Sequence, residues 1–170
     1  MLFILYNQMN FVIICLESGD HMSYFKKDAK RLPVLFTGFI FLSIGIMLTK
    51  RAGLGMAPWG VFHQGMSILT TLSFGVITHI FGVIILVASV GFLKTKVGIG
   101  TILNVAIVGL MIDAEDLIFK YTPTTIGSQL IIFIIGMLFM TFGRSLYISA
   151  RLGSGPRDGV FVGLARVTGI

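Results

Sequence analysis

Arg51-Ala52-Gly53-Leu54-Gly55-Met56-Ala57-Pro58-Trp59-Gly60 is the stretch that decides how this chain is read. Gly53 and Gly55 interrupt a helix, and Pro58 can restart one in its first turn. The stretch closes one long apolar run and opens another. It returns as Ala150-Arg151-Leu152-Gly153-Ser154-Gly155-Pro156-Arg157-Asp158-Gly159. Overlaying the two gives a constant offset of 98 residues, placing Gly38 on Gly136 and Pro58 on Pro156. Ten identities follow between positions 38 and 70 without a gap. They are Gly38/Gly136, Phe41/Phe139, Gly45/Gly143, Leu48/Leu146, Ala52/Ala150, Leu54/Leu152, Gly55/Gly153, Pro58/Pro156, Gly65/Gly163 and Thr70/Thr168. In so apolar a composition chance gives roughly three. The reading is an internal duplication of a helix–glycine break–helix unit.

The composition says what solvent that unit meets. Hydrophobic residues make up 55 % and charged residues 12 %, about half the globular norm for charge. Mean hydropathy is +0.96. A soluble chain of this size cannot bury so much apolar surface, so most of it is expected to face lipid. The net charge of +6 does not imply nucleic acid, because the basic residues lie at the ends of apolar runs, where they meet cytosol and anionic headgroups. The single Cys15 excludes an internal disulfide and a cysteine metal cage.

Outward from the break, the preceding span is Leu32 to Thr49, uncharged throughout, with Gly38 and Gly45 on one stripe that permits close helix contact. Lys26, Lys27, Lys30 and Arg31 form a basic collar before it, expected in the cytoplasm. Met1 to Leu16 is apolar but short, and lacks the marks of a signal peptide. Translation from Met22 is the simpler expectation. After the break, 58–72 reads as a less apolar helix carrying His63, Gln64 and Ser67, and Ser73-Phe74-Gly75 as a second, weaker break. Spans follow at 74–93, with His79, at 98–119, with Asn104 and ending in Asp113, Glu115 and Asp116, and at 127–150, with Arg144.

The chain thus divides into an extension with a basic collar (1–31), a first repeat (32–126) and an incomplete second repeat (127–170). Ile170 corresponds to Leu72 of the first copy, so about 50 residues of a second copy of equal length are expected to be missing.

The topology turns on 58–72. If it crosses the membrane, seven basic residues lie outside against five inside. If it dips in and returns, nine lie inside against three, and the two copies become inverted. The positive-inside rule favours the second arrangement, while the length of 54–72 favours the first.

Chemistry is expected at the two breaks. Interrupted helices free backbone groups, which the bilayer tolerates only beside protein or a wet cavity, and a helix N-terminus offers partial positive charge. The candidate positions are Arg51, Gly53, Gly55, Pro58, His63, Gln64, Asn104, Arg144, Gly153, Gly155, Pro156, Arg157 and Asp158. Asp158 suits the first turn of its own helix, and Arg157 suits an anion or a headgroup. Arg144 is a charge inside a span and is expected to face a partner or cavity, or else to snorkel. Asp113 is a conceivable partner, although neighbouring antiparallel helices would hold the two at different depths. His63 with Gln64, His79 and Asn104 are polar groups that more often bond between helices than bind ligands. No metal spacing, P-loop, dinucleotide fingerprint or catalytic triad is visible, so no cofactor and no enzyme activity are expected.

With these motifs in view the chain resembles the YitT/YczE group of bacterial multi-pass membrane proteins. The resemblance is carried by Arg51-Ala52-Gly53-Leu54-Gly55, Pro58-Trp59, His63-Gln64-Gly65, Gly98-Ile99-Gly100-Thr101-Ile102-Leu103-Asn104, Leu146-Tyr147-Ile148-Ser149-Ala150 and, most specifically, Leu152-Gly153-Ser154-Gly155-Pro156-Arg157-Asp158-Gly159. It covers Leu32 to the C-terminus and implies an all-α, polytopic helical protein of the bacterial cytoplasmic membrane, with members longer at their C-terminal end. It implies no activity. The functional expectation is a small-solute or ion permease embedded in the lipid bilayer. The alternative is a non-transporting membrane protein that supports or regulates a biosynthetic or secretion system; a second copy of the chain or another membrane protein is the expected partner.

Overall fold

The computed structural model describes residues 31–93, 98–153 and 155. Every regular element among them is a helix: α1 (Leu32–Ala52), α2 (Pro58–Thr70), α3 (Phe74–Leu93), α4 (Ile99–Ile118) and α5 (Ile126–Ser149). α1, α5 and the Phe74–Gly91 part of α3 are long and apolar enough to cross a membrane. α4 has 20 residues, which is about 30 Å of helix, and its acidic residues cluster in its last two turns.

The element ends follow from local chemistry. Pro33 lies in the first turn of α1, and Gly53 closes it in the left-handed conformation at φ 70°. α1 runs three residues beyond the predicted Thr49, because Lys50 and Arg51 suit the negative end of the helix dipole. Pro58 opens α2, and Thr71 ends it at φ 59°. The second break lies at 71–73 rather than at Ser73-Phe74-Gly75. Ser73 Oγ accepts from Val76 N at 3.2 Å, so Ser73 caps α3 and the next two residues are already helical.

α1 and α5 form the centre of the bundle and run antiparallel. They touch through glycine. A Cβ built on Gly38 would lie 3.0 Å from Gly143 O, and one on Gly143 2.7 Å from Gly38 O. At the other end, a Cβ on Gly45 would lie 2.7 Å from Gly136 O, and one on Gly136 3.1 Å from Gly45 O. Between these crossings the Phe41 and Phe139 rings meet at 5.3 Å. In lipid there is no hydrophobic force between helices, so such close backbone approach supplies the packing energy.

α4 lies alongside α1 and parallel to it: Ser43 meets Glu115 and Lys50 meets Asp116. α3 runs the other way beside α4, with Gly75 against Gly109 and Asp113, and Gly82 against Val105. The buried core joins Leu35 and Phe39 of α1, Phe74 of α3, Val108 and Ile112 of α4, and Tyr147 with Ala150 at the end of α5.

The two ends of the 53–73 segment lie at the same end of the bundle. Lys50 Nζ stands 5.4 Å from the centre of the Phe74 ring, and the C-terminal turns of α4 hold both Lys50 and Gly75. α2 packs back against the first turns of α3, His63 touching Phe74, Thr78 and Phe81. The segment therefore leaves and returns at one end of the bundle.

Candidate functional site

The site is assembled where three helix ends converge: the last turn of α1, the last turns of α4 and the returning α2. Asp116 is its electrostatic centre. Lys50 Nζ donates to Asp116 Oδ2 at 2.8 Å, and Arg51 Nε donates to Oδ1 at 2.8 Å. Arg51 Nη2 also donates to the Asp116 carbonyl at 2.8 Å. The Lys50 and Asp116 side chains are 20 % and 29 % exposed, so the pair is partly withdrawn from solvent and screened less than a surface pair.

Two further carboxylates of α4 hold neighbouring helices. Asp113 accepts from Ser73 Oγ and, at 2.8 Å, from Gly75 N, which fixes the start of α3. Glu115 Oε1 accepts from Ser43 Oγ at 2.7 Å, while its Oε2 is buried with no hydrogen-bond partner among the described residues.

Between these ends and α2 lies a cavity of about 720 Å³, lined by Lys50, Arg51, Gly53, Gly55, Met56, Val61, Gln64, Gly65, Ile68, Asp116 and Thr122. Gly53 and Gly55, at φ 70° and 116°, keep the backbone bare along its wall, where a side chain would be strained. The Gln64 carboxamide oxygen is buried and lacks a hydrogen-bond partner among the described residues. The wall thus combines two cations, one carboxylate, an amide and bare backbone with apolar Val61, Ile68 and Met56.

Of the positions singled out from the sequence, Arg51, Gly53, Gly55 and Gln64 line this cavity, and Pro58 begins the helix that covers it. His63 does not line it. Its ring is buried, stacked 5.9 Å from Phe81 and bonded through Nδ1 to Thr78 Oγ1 at 3.0 Å. It pins α2 to α3. His79 plays a similar part, its Nδ1 meeting Val105 O of α4. Asn104 is half-buried on α4, away from the lining.

Arg144 is exposed on the outer side of α5 and is absent from the cavity wall. Asp113 is taken by Ser73 and Gly75, so the conceivable Asp113–Arg144 pair is not formed. Gly153, at φ 125°, packs on the N-terminus of α4, where Gly100 N donates to Leu152 O at 2.8 Å. Gly155 is buried. Pro156, Arg157 and Asp158 lie outside the described residues, as do 1–30. Among the described residues no set of His, Cys, Asp and Glu is grouped for a metal ion.

Sequence reading missed Lys50 and Asp116 as a pair. It took both as ordinary span ends, although one basic and one acidic terminus on parallel helices was a usable signal.

Taken together, apolar helices of spanning length and close glycine contacts between them define a polytopic helical membrane protein. The chain belongs to the family described as "Family of unknown function (DUF6198)", whose model matches residues 29–170. Relatives include an uncharacterized protein of Haemophilus influenzae, 34 % identical over 81 % of this chain and 62 % of its own length. Another is the Bacillus subtilis "Uncharacterized membrane protein YczE", 33 % identical over 82 % of this chain and 65 % of its own. The B. subtilis protein YyaS is 29 % identical over 71 % of this chain and 61 % of its own. The chain thus spans less than two thirds of the length of the curated relatives it matches. No solved structure matches.

Proposed function

We propose that this chain forms the membrane body of a bacterial cytoplasmic-membrane permease for a small solute or ion, built from two inverted copies of one helix–break–helix unit. The observation that carries the reading is the segment 53–73, which leaves and returns at one end of the bundle and lines a charged cavity there. Irregular backbone at membrane depth is tolerated where it lines such a cavity, and transporters commonly place their sites at broken helices.

The inverted copies draw support from the α1–α5 contacts. Gly38 meets Gly143 and Gly45 meets Gly136. Moving each residue to its counterpart in the other copy turns one contact into the other. Phe41 meets Phe139, its own counterpart. A two-fold relation gives this self-complementary pattern, and for antiparallel spanning helices its axis lies in the membrane plane. The breaks agree in backbone as well: φ is 70° at Gly53 and 55° at Arg151, and 116° at Gly55 and 125° at Gly153. With the re-entrant α2, nine basic residues against three favour a cytoplasmic N-terminus.

Lys50 and Arg51 outweigh Asp116 by one charge, so the solute is expected to carry a negative group. The test is uptake into proteoliposomes holding the H. influenzae relative or this chain, across a panel of small anions and zwitterions. Flux is expected, and Arg51→Gln should lower it by about ten-fold or more, the worth of one hydrogen bond to a charged group. No flux from either protein across the panel removes the permease reading. A stoichiometric membrane partner recovered instead would favour the non-transporting role.

A further inference from the structure

We infer that Glu115 carries the proton that accompanies the anion: it is protonated while the cavity holds a negative solute and gives the proton up when the cavity empties. The inference rests on the permease reading. Ser43 Oγ lies 2.7 Å from Glu115 Oε1 and 3.0 Å from Ile40 O, and Ser43 is 0 % exposed. A hydroxyl has one proton to donate. With Glu115 ionised, one of these two contacts therefore holds no hydrogen. With Oε1 protonated, Glu115 donates to Ser43 Oγ and Ser43 donates to Ile40 O, so both contacts are filled. Oε2 argues the same way. It is buried with no hydrogen-bond partner among the described residues, and a bare carbonyl oxygen costs far less to bury than a bare carboxylate oxygen.

This proton is placed to set the charge of the cavity. Ser43 and Lys50 are seven apart on α1, about 10 Å along the helix, so Glu115 lies about two turns deeper than the Lys50–Arg51–Asp116 cluster. The charged and titratable groups on the helices packed against α4 are Lys50 and Arg51 at this end of α1, Arg31 at its other end, and His79 of α3. His79 bonds Val105 O, about 15 Å away along α4. On α4 itself, Asp113 is held by Ser73 Oγ and Gly75 N at the positive end of α3. Lys50 and Arg51 against Asp116 and an ionised Glu115 sum to zero. Protonating Glu115 leaves one positive charge, which a monoanion neutralises. Charges about 10 Å apart, at an effective dielectric of about 20, change each other's binding about ten-fold. By linkage the anion tightens the proton by the same factor. Water is the only other participant: it delivers the proton as the Oε1–H bond forms and takes it as that bond breaks. Proton and monoanion thus load and leave together.

The test is infrared spectroscopy of this chain reconstituted in lipid, where a protonated carboxyl shows a C=O stretch apart from the carboxylate bands. That band is expected at neutral pH, lost in Glu115→Gln and kept in Asp113→Asn. Ser43→Ala should shift it, because the acid proton loses its acceptor, and this variant serves if Glu115→Gln does not fold. Arg51→Gln removes one cavity charge, as a bound monoanion does, and should carry the band about one pH unit higher, the ten-fold linkage. No Glu115-dependent band at neutral pH, or a band indifferent to Ser43→Ala, overturns the proton assignment. A band whose pH range ignores Arg51→Gln overturns the coupling. In proteoliposomes that show flux, Glu115→Gln should abolish acceleration by an inward proton gradient; unchanged acceleration also overturns the coupling. The spectra need no flux, so a silent solute panel removes the permease reading without touching the proton on Glu115, and the two fail separately.

Discussion

Gly143→Ala isolates the force that holds α1 to α5. Its new Cβ would lie 2.7 Å from Gly38 O and 2.9 Å from Leu42 Cα. Both are backbone atoms, so no side chain can swing aside. The helices must part by several tenths of an ångström along a contact that also carries Phe41–Phe139 and Phe41–Phe142. Overpacking of this kind costs about 1–3 kcal/mol. Alanine also returns about 1 kcal/mol of helix propensity relative to glycine. A control removes that second contribution. Gly65 lies inside α2, and nothing stands within 4 Å of a Cβ built there. Gly65→Ala should therefore gain the propensity without the clash. The difference between the two variants, about 1–3 kcal/mol with Gly143→Ala the weaker, is the packing cost alone. It is read by titrating detergent-solubilised protein with SDS and following helicity by circular dichroism. The double variant Gly38→Ala/Gly143→Ala adds a second check. The two Cβ atoms enter the same gap, so once the helices have parted for one the other costs less. The pair should be sub-additive by about 0.5 kcal/mol or more. Equal stability of Gly143→Ala and Gly65→Ala would refute the claim that backbone contact holds these helices.

Three other outcomes are expected. Asp116→Ala leaves Lys50 and Arg51 facing each other, and should cost about 1–2 kcal/mol in the same titration, discounted for its partial exposure; the loss should shrink in high salt, and a salt-independent loss would mean that shape rather than charge is responsible. His63→Ala removes a buried ring from between Phe62, Phe74 and Phe81 and should cost about 2–4 kcal/mol, freeing α2 to protease before the rest of the bundle; digestion that stays uniform along the chain would contradict its role as a pin. In a Cys15→Ser background, Leu54→Cys and Leu72→Cys should both react with an impermeant maleimide from one side of the membrane and Arg151→Cys from the other. Opposite sidedness for Leu54 and Leu72 would make α2 a span.

Much of this was legible from residue order because lipid simplifies the problem. A helix in a bilayer must satisfy its own backbone, so apolar runs of sufficient length declare themselves, and Gly53, Pro58 and Gly98 mark where they stop and start. The stripe of Gly38 and Gly45 was readable as a contact face for the same reason: only glycine lets two backbones approach so closely. Placement of the second break failed by two residues, since a serine can either interrupt a helix or cap one, and the choice at Ser73 is made by whether Val76 N reaches its hydroxyl. His63 and Arg144 could be named from the sequence but not assigned. One is buried among the rings of α3 and the other points outward, and each orientation is set by which neighbour packs on that side.

Hydropathy and glycine spacing alone determined that this is a helical membrane protein with a helix broken near Gly53, because those properties depend on each segment's own exchange with its solvent. Where the two ends of 53–73 meet the bundle, which carboxylate holds Lys50 and Arg51, and which hydroxyl meets Glu115 were decided only in three dimensions. Each is a relation between helices far apart in the chain, fixed by where glycine permits close approach and where opposite charges meet, and no local pattern of residues carries that information.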